Sequence, residues 1–464
     1  MCQPMGSALA FKGIENTMVL YHGSQGCSTY MRLHLAHHFR EPVDIASSSL
    51  SEKGAVYGGR ESLKKGLRNV INRYKPKVIG VATTCLAETI GDDVPAIIRE
   101  FKEEEGIGDD PENDIIIIPV STPSYGESHV SGYIKALDAV VRKFTEKSEE
   151  EGFVKTPNGK LNLIPVESLS PADVRELKEI LELMAGNYIF LPDISETFDA
   201  PLRDDLPKIA PGGTPISEIT DMPNSRASLG LGIVSKNLAL EYLEELHCVP
   251  GHNVPIPIGL SNADSFFTEL VNILGCPIPE KYQKERGRLL DAMVDVHKYL
   301  YGVKAAVYGD PDLVFSLTTF MLELGMNPVL IATGSKSKDF GAKIRQIIEE
   351  IRPELEPVIL DGIDFDSLND AVNECSPEIL IGNSNGRYIA KARDIPLVRV
   401  GLPIHDRVGA QRILTVGYRG SLELLDRITN TILDATDTFT APVQARPAAY
   451  ASKGTEEECM EEAQ

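Results

Sequence analysis

Lys77-Val78-Ile79-Gly80-Val81-Ala82-Thr83-Thr84-Cys85 carries an apolar run into a turn that holds a cysteine. The run at 77–82 is short, apolar and bounded by turn residues, which reads as a buried strand. The same signature recurs at 115–120, 161–165, 188–191, 305–308, 328–332, 379–381 and 397–400. Amphipathic stretches at 62–74, 171–184, 311–325 and 343–351 lie between these runs. Strand–helix alternation at this spacing predicts an α/β fold with mainly parallel sheets and helices on both faces. Ligands in such folds gather at the carboxyl ends of strands, which is where Cys85 falls.

Working outward, Arg142 to Lys155 is charged and then contains glycine, as a linker does, and a second break falls near 301–303. The expected units are therefore 1–150, 151–302 and 303–440. The tail at 441–464 has Pro442, Pro447 and an acidic run at Glu456 to Glu458, without periodicity, and is expected to be disordered. Lys+Arg is 46 and Asp+Glu is 68, giving a net charge of −22 over 464 residues. That balance argues against a nucleic-acid or anionic-membrane binder, which needs a basic face. No apolar run approaches the roughly 18–20 residues of a membrane span. The start, Met1-Cys2-Gln3-Pro4, lacks a basic segment followed by an apolar one, so a cytoplasmic location is expected.

The seven cysteines are at 2, 27, 85, 248, 276, 375 and 459. An odd number in a large cytosolic chain does not form a disulfide framework. Cys27 sits in His22-Gly23-Ser24-Gln25-Gly26-Cys27, and Gly23 and Gly26 allow backbone to approach a bulky ligand. A thiolate in such a turn, near backbone N–H donors, suits iron. Zinc fits less well, because no C-x₂-C pair is present. Each cysteine taken alone reads equally well as a small buried hydrophobe. Cys276 and Cys375 read as core or turn residues, Cys248 lies near a helix end, and Cys459 falls in the tail. His34, His37 and His38 have helical spacing that can clamp a metal, set against the plainer reading of a polar face near a subunit interface. His22 is placed to hydrogen-bond near a cluster. No G-x-x-x-x-G-K-[ST] loop is present, so ATP hydrolysis by this chain is not expected.

Cys2-Gln3-Pro4, His22-Gly23-Ser24-Gln25-Gly26-Cys27, Ala55-Val56-Tyr57-Gly58-Gly59, Thr83-Thr84-Cys85-Leu86-Ala87-Glu88, Ile90-Gly91-Asp92-Asp93 and Thr122-Pro123-Ser124-Tyr125 closely resemble the β-type subunits of nitrogenase component 1. The likeness continues through Lys284-Glu285-Arg286-Gly287-Arg288, Gly309-Asp310-Pro311-Asp312, Ile381-Gly382-Asn383-Ser384 and Val416-Gly417-Tyr418-Arg419-Gly420. The resemblance implies three Rossmann-like domains and an iron–sulfur cluster at the interface with an α-type chain, in an α₂β₂ heterotetramer. The cluster is either the eight-iron [8Fe-7S] P-cluster or a [4Fe-4S] cluster. It implies Cys2, Cys27, Cys85 and Ser124 as the metal-binding positions, with Ser124 ligating only an oxidised cluster. The catalytic or precursor cofactor is then held mainly by the partner, and a separate ATP-dependent iron protein supplies electrons.

Two roles within the family remain open. One is a NifN-type scaffold that pairs with a NifE-like chain for maturation of the iron–molybdenum cofactor. The other is the β subunit of a catalytic nitrogenase or nitrogenase-like reductase. Asp44-Ile45-Ala46-Ser47-Ser48-Ser49, Leu191-Pro192-Asp193-Ile194-Ser195-Glu196-Thr197 and His405-Asp406-Arg407-Val408-Gly409-Ala410-Gln411-Arg412 resemble the scaffold chains. So does a start directly at Cys2. The full Cys2/Cys27/Cys85/Ser124 set is what a P-cluster needs. On balance the scaffold is the expectation.

Overall fold

The structure is a computed structural model and describes residues 1–111, 114–146, 154–205 and 207–436. The expected disordered tail at 441–464, with Cys459, lies outside the described residues, as does the middle of the expected linker near 150. Thirteen strands form three sheets. The first contains β1 (Thr17–His22), β2 (Ile45–Ser47), β3 (Val78–Thr83) and β4 (Ile116–Val120), in the order β2-β1-β3-β4. The second contains β5 (Leu161–Ile164), β6 (Tyr188–Phe190), β7 (Ala227–Leu231) and β8 (Gly251–Val254), in the order β6-β5-β7-β8. The third contains β9 (Lys304–Gly309), β10 (Asn327–Thr333), β11 (Val358–Leu360), β12 (Ile379–Gly382) and β13 (Leu397–Arg399), in the order β11-β10-β9-β12-β13. Every pairing between named strands is parallel.

These are three doubly wound, Rossmann-like units, as the alternation predicted. Every run read as a strand in the sequence is one. Five strands lacked that signature. β2 and β11 are three-residue edges, and β8 is an edge strand with His252 and Asn253 in it. β7 is wholly buried but contains Ser228, whose hydroxyl accepts from Asn162 Nδ2 at 3.0 Å. β1 is buried along its length although it begins and ends in polar residues.

Each sheet reverses its winding at one place: between β1 and β3, between β5 and β7, and between β9 and β12. A crevice opens at such a switch point, at the carboxyl ends of the strands. Strand side chains alternate between faces. In β1, Val19 and Tyr21 enter a core that runs through all three units, while Met18 and Leu20 enter a smaller one with Leu67 and Phe101. A similar satellite core covers the other face of the third sheet around Leu330, Val372 and Leu380. The units are also joined by polar ties. Asp312 accepts from the backbone N–H groups of Ile233, Val234 and Ser235 at 2.7, 2.7 and 3.0 Å. The last described helix, Gly417–Thr436, packs on Glu280–Leu300 and Leu260–Leu274. There Tyr418 Oη donates to Asp264 at 2.7 Å while Arg286 forks onto the same carboxylate at 2.8 and 2.7 Å. No helix among the described residues is long and apolar enough to cross a membrane.

Candidate metal centre

The switch point of the first sheet carries two of the four expected residues. Cys27 lies in the first turn of Gln25–Phe39, just after β1, and Cys85 opens the short helix Cys85–Ile90 just after β3. The two turns pack with no room to spare. A Cβ on Gly23 would stand 1.8 Å from Thr84 Oγ1, so only glycine fits there. Gly26 is different, since the nearest atom to an added Cβ is 3.9 Å away. The Thr84 amide donates to the His22 carbonyl at 3.0 Å. Ser48 Oγ accepts from the Gly23 amide at 3.0 Å and bonds His22 Nδ1 at 2.9 Å. His22 Nε2 meets Asp92 at 2.9 Å, and the Asp92 carboxylate accepts from the Gly59 amide at 2.9 and 3.0 Å. Burial lowers the His22 pKa, and the Asp92 hydrogen bond opposes it. His22 therefore braces the turn from behind, with both ring nitrogens used on Ser48 and Asp92.

Cys2 arrives from a different direction. It caps Gln3–Lys12, a helix buried along its whole length. This helix crosses His129–Thr145 with backbones in contact. A Cβ on Gly6 would lie 1.7 Å from the His129 carbonyl oxygen, and one on Gly132 would lie 2.0 Å from that of Gln3. Cys2 also forms an isolated antiparallel bridge with Ser128. Tyr21 Oη donates to the Pro4 carbonyl at 2.6 Å and fixes the helix start over β1. Burial, with the nearby thiol charges of Cys2 and Cys27, pushes the Tyr21 phenol well up, so it remains a donor.

Ser124 joins the two groups. Its backbone N–H donates to Cys85 Sγ at 3.3 Å, and its side chain lies close enough to the Cys2 thiol to influence its pKa. The loop that carries it is tied to the Cys85 turn: the Thr122 amide donates to Thr83 Oγ1 at 2.8 Å, and Thr122 Oγ1 donates to the Thr83 carbonyl at 2.7 Å. Glu88 accepts from Thr83 Oγ1 at 2.5 Å and from Ser121 Oγ at 2.6 Å. Gln3 Nε2 donates to the Pro123 carbonyl at 2.7 Å. Burial raises the Cys2 pKa; the Ser124 side chain lowers it, and the charge of Cys27 raises it again. Cys2, Cys27, Cys85 and Ser124 thus come together, all four half-buried.

Gln3, Tyr21, Glu88 and Thr122 carry no sequence signal of their own, because their partners are backbone atoms or distant side chains. Thr83 shapes the Cys85 turn as a hydrogen-bonding residue, whereas Thr84 fills space against Gly23. Its hydroxyl is buried without a hydrogen-bond partner among the described residues. His34, His37 and His38 do not converge. His38 is buried and its Nδ1 accepts from the Ile404 amide at 2.8 Å, while the ring of His405 lies 5.0 Å from that of His34 and 6.0 Å from that of His37. Cys248 is exposed at the end of Leu238–His247, and Cys276 contacts the Met184 carbonyl oxygen at 3.4 Å. Cys375 ends the helix Phe365–Cys375.

The donor set fits an iron–sulfur cluster. Three thiols and a hydroxyl face one edge. Cys2 and Cys27 lie at the starts of helices of 10 and 15 residues, where the helix dipole favours negative charge. An orphaned hydroxyl, that of Thr84, adjoins Cys85. The thiols are only half covered, and their sequence neighbours Met1, Tyr30 and Tyr125 are exposed at 39%, 60% and 68%. An exposed apolar rim around polar donors is the mark of an interface.

Comparison with known proteins gives the family. Residues 2–433 match the family described as Nitrogenase component 1 type Oxidoreductase. The nitrogenase molybdenum-iron protein beta chain of Methanococcus maripaludis is 42% identical over 440 residues, covering 93% of each chain. The protein of the same name from Clostridium pasteurianum is 38% identical over 433 residues, covering 93% of this chain and 92% of that one. A solved structure described as nitrogenase Cp1 at pH 6.5 superposes with a TM-score of 0.88 at 36% identity, covering 93% of this chain and 92% of that chain. The chain belongs to the nitrogenase component 1 family.

Proposed function

We propose that this member of the nitrogenase component 1 family is the β-type subunit of a catalytic nitrogenase. The observation that carries this reading is the convergence of the complete Cys2/Cys27/Cys85/Ser124 set at one half-exposed edge. The names of its relatives, nitrogenase molybdenum-iron protein beta chains, support it and give no support to the scaffold role that the sequence motifs favoured. We also propose unit boundaries near 150 and 302, a reading that the three separate sheets support.

In this reading Cys2, Cys27 and Cys85 bind one half of an iron–sulfur cluster, and an α-type chain supplies the rest across the apolar rim. The pair assembles as an α₂β₂ heterotetramer in the cytoplasm. A separate iron protein delivers electrons, and the substrate-reducing cofactor is held mainly by the α-type chain. When bound, the cluster supplies a relay for those electrons. The residues of this chain do the positioning. The Ser124 amide directs a hydrogen-bond donor at Cys85 Sγ. The Ser124 side chain lies beside Cys2, where its oxygen would be a donor for an oxidised cluster's iron. Gly23, braced by Ser48 and His22, keeps the Cys27 and Cys85 turns together.

The test is turnover. Purified with its α-type chain, and supplied with iron protein and MgATP, the complex is expected to reduce dinitrogen to ammonia. A complex with full metal content that accepts electrons but makes no ammonia, and that donates a cofactor precursor to another protein, would restore the scaffold role.

A further inference from the structure

Beside the loop that carries Ser124, a second group of metal-ligating side chains is assembled from all three units. His129 follows the loop after β4, Glu167 follows β5, and Asp310 follows β9. One potential ligand atom from each residue lies within 4.8 Å of the other two. All three residues are buried, at 3%, 7% and 7% exposure. They sit where strand-end turns of the three sheets meet. We propose that His129, Glu167 and Asp310 bind a divalent first-row metal ion, Mn²⁺, Fe²⁺ or Zn²⁺, at this junction.

The first argument is charge. Glu167, Asp310 and the nearby Asp312 are buried close together, and no lysine or arginine pairs with any of them among the described residues. Asp312 is neutralised in part by three backbone N–H groups. Glu167 and Asp310 have no such cradle. Buried carboxylates left without a compensating charge cost several kcal/mol each. A divalent cation removes that cost.

The second argument is geometry. His129 Nε2 stands 3.3 Å from both Asp310 carboxylate oxygens. Two ligands each ~2.1 Å from one ion at a right angle are about 3 Å apart, so this pair is already spaced for coordination. Glu167 offers a carboxylate oxygen within 4.8 Å of a ligand atom of each of the other two. Asp310 occupies the N-cap position of Pro311–Glu323 yet makes no side-chain cap bond. Its carboxylate is turned to His129 instead. His129 Nδ1 is buried with no hydrogen-bond partner among the described residues.

The third argument is access. His129 and Asp310 line a cavity of about 300 Å³ at the carboxyl edge of the third sheet, together with Ser128, Gly334, Ser335 and Asn383. An ion can enter there, and its remaining positions can take water or a small oxygen ligand. One imidazole and two carboxylates suit Mn²⁺, Fe²⁺ or Zn²⁺ better than the all-oxygen ions Mg²⁺ and Ca²⁺. None of the cluster cysteines belongs to this group.

Manganese is the probe, because it is distinct from cluster iron. The full complex is treated with a chelator, equilibrated with MnCl₂ and crystallised. An anomalous peak at the manganese edge is expected, bonded to His129, Glu167 and Asp310. In parallel, Glu167→Gln keeps the side-chain shape and removes a charged ligand. Titration followed by the electron paramagnetic resonance of free Mn²⁺ should show one fewer bound ion per chain in this variant. Absence of the peak in the unmodified complex would overturn the proposal, even if the variant failed to fold. So would equal manganese binding by Glu167→Gln together with a raised unfolding midpoint in metal-free buffer. That pair of results would mark the group as carboxylates bridged by a proton.

Discussion

The switch point of the first sheet and the junction of the three sheets are built alike, from turns at the carboxyl ends of parallel strands, but they keep opposite company. At the first, soft thiols stand half-exposed, are met by a backbone N–H and a hydroxyl, and are rimmed by exposed Met1, Tyr30 and Tyr125. At the second, an imidazole and two carboxylates are buried and contributed by every unit of the chain. The difference concerns where charge balance comes from. A half-exposed donor set can wait for another chain to complete it. A buried one must be balanced within the fold, by a cation or a proton, because uncompensated buried charge is too costly to keep. The first region is open to another chain, and the second is closed within this one.

Changes that break this contrast should differ in size. The largest effect is expected from Cys85→Ala. Deleting a half-buried thiol group is a modest large-to-small change in packing, but here it would also leave iron under-coordinated. Iron content of the purified complex should fall several-fold while the chain remains folded, and full loading would reduce Cys85 to packing. Next comes Gly23→Ala, whose Cβ would overlap Thr84 Oγ1 at 1.8 Å. Overpacking of this kind costs ~1–3 kcal/mol, and denaturant unfolding should place it at the upper end. Gly26→Ala, with open space around it, serves as the control and should be nearly silent.

A smaller effect comes from acid. Burial lowers the pKa of His38 to about 3, with the charge of His405 adding to it and the Ile404 backbone opposing. Its folded pKa lies below its unfolded value of about 6.5, so the unfolded chain binds more protons between the two. The stability it contributes is complete above pH ~6.5 and is lost as pH falls toward 3. At pH 5.5 the loss is about 1.4 kcal/mol. His38 and Cys27 share the helix Gln25–Phe39, so acid should loosen the thiol edge as well. His38→Gln should flatten the dependence of unfolding free energy on pH, and an unchanged slope would assign the acid sensitivity elsewhere. The smallest change is expected from Ser124→Ala. Iron should be retained, with an altered electron paramagnetic resonance spectrum confined to the oxidised cluster. An identical oxidised spectrum would leave Ser124 as a turn residue.

Much of the fold was legible because fully buried parallel strands are nearly continuous apolar runs. The strands that escaped were short or polar edges, such as β2 and β8, and β7, where Ser228 is buried against Asn162. Cys85 was legible because its strand and turn are contiguous in sequence. Ser124 was reached only through family resemblance, since its partners lie far away in the chain. The buried junction was invisible for the same reason: His129, Glu167 and Asp310 come from three different units. The motifs behind the scaffold expectation hold the fold rather than the chemistry, so they do not separate the two roles. Ser47 and Ser48 bond the Gly23 backbone, Asp193 pairs with Lys178 at 2.6 Å, and Asp406 pairs with Arg399 at 2.7 Å. Such residues can recur wherever this packing recurs, whatever the subunit does.

The central claim is that the edge formed by Cys2, Cys27, Cys85 and Ser124 is half of a cluster site completed by another chain. Mössbauer spectroscopy of the ⁵⁷Fe-enriched, reduced heteromer tests it most directly, with this chain purified alone as the comparison. The expected result is an eight-iron P-type cluster in the heteromer and no such cluster in the isolated chain. A four-iron cluster in the heteromer, or a complete eight-iron cluster in the chain alone, would contradict it.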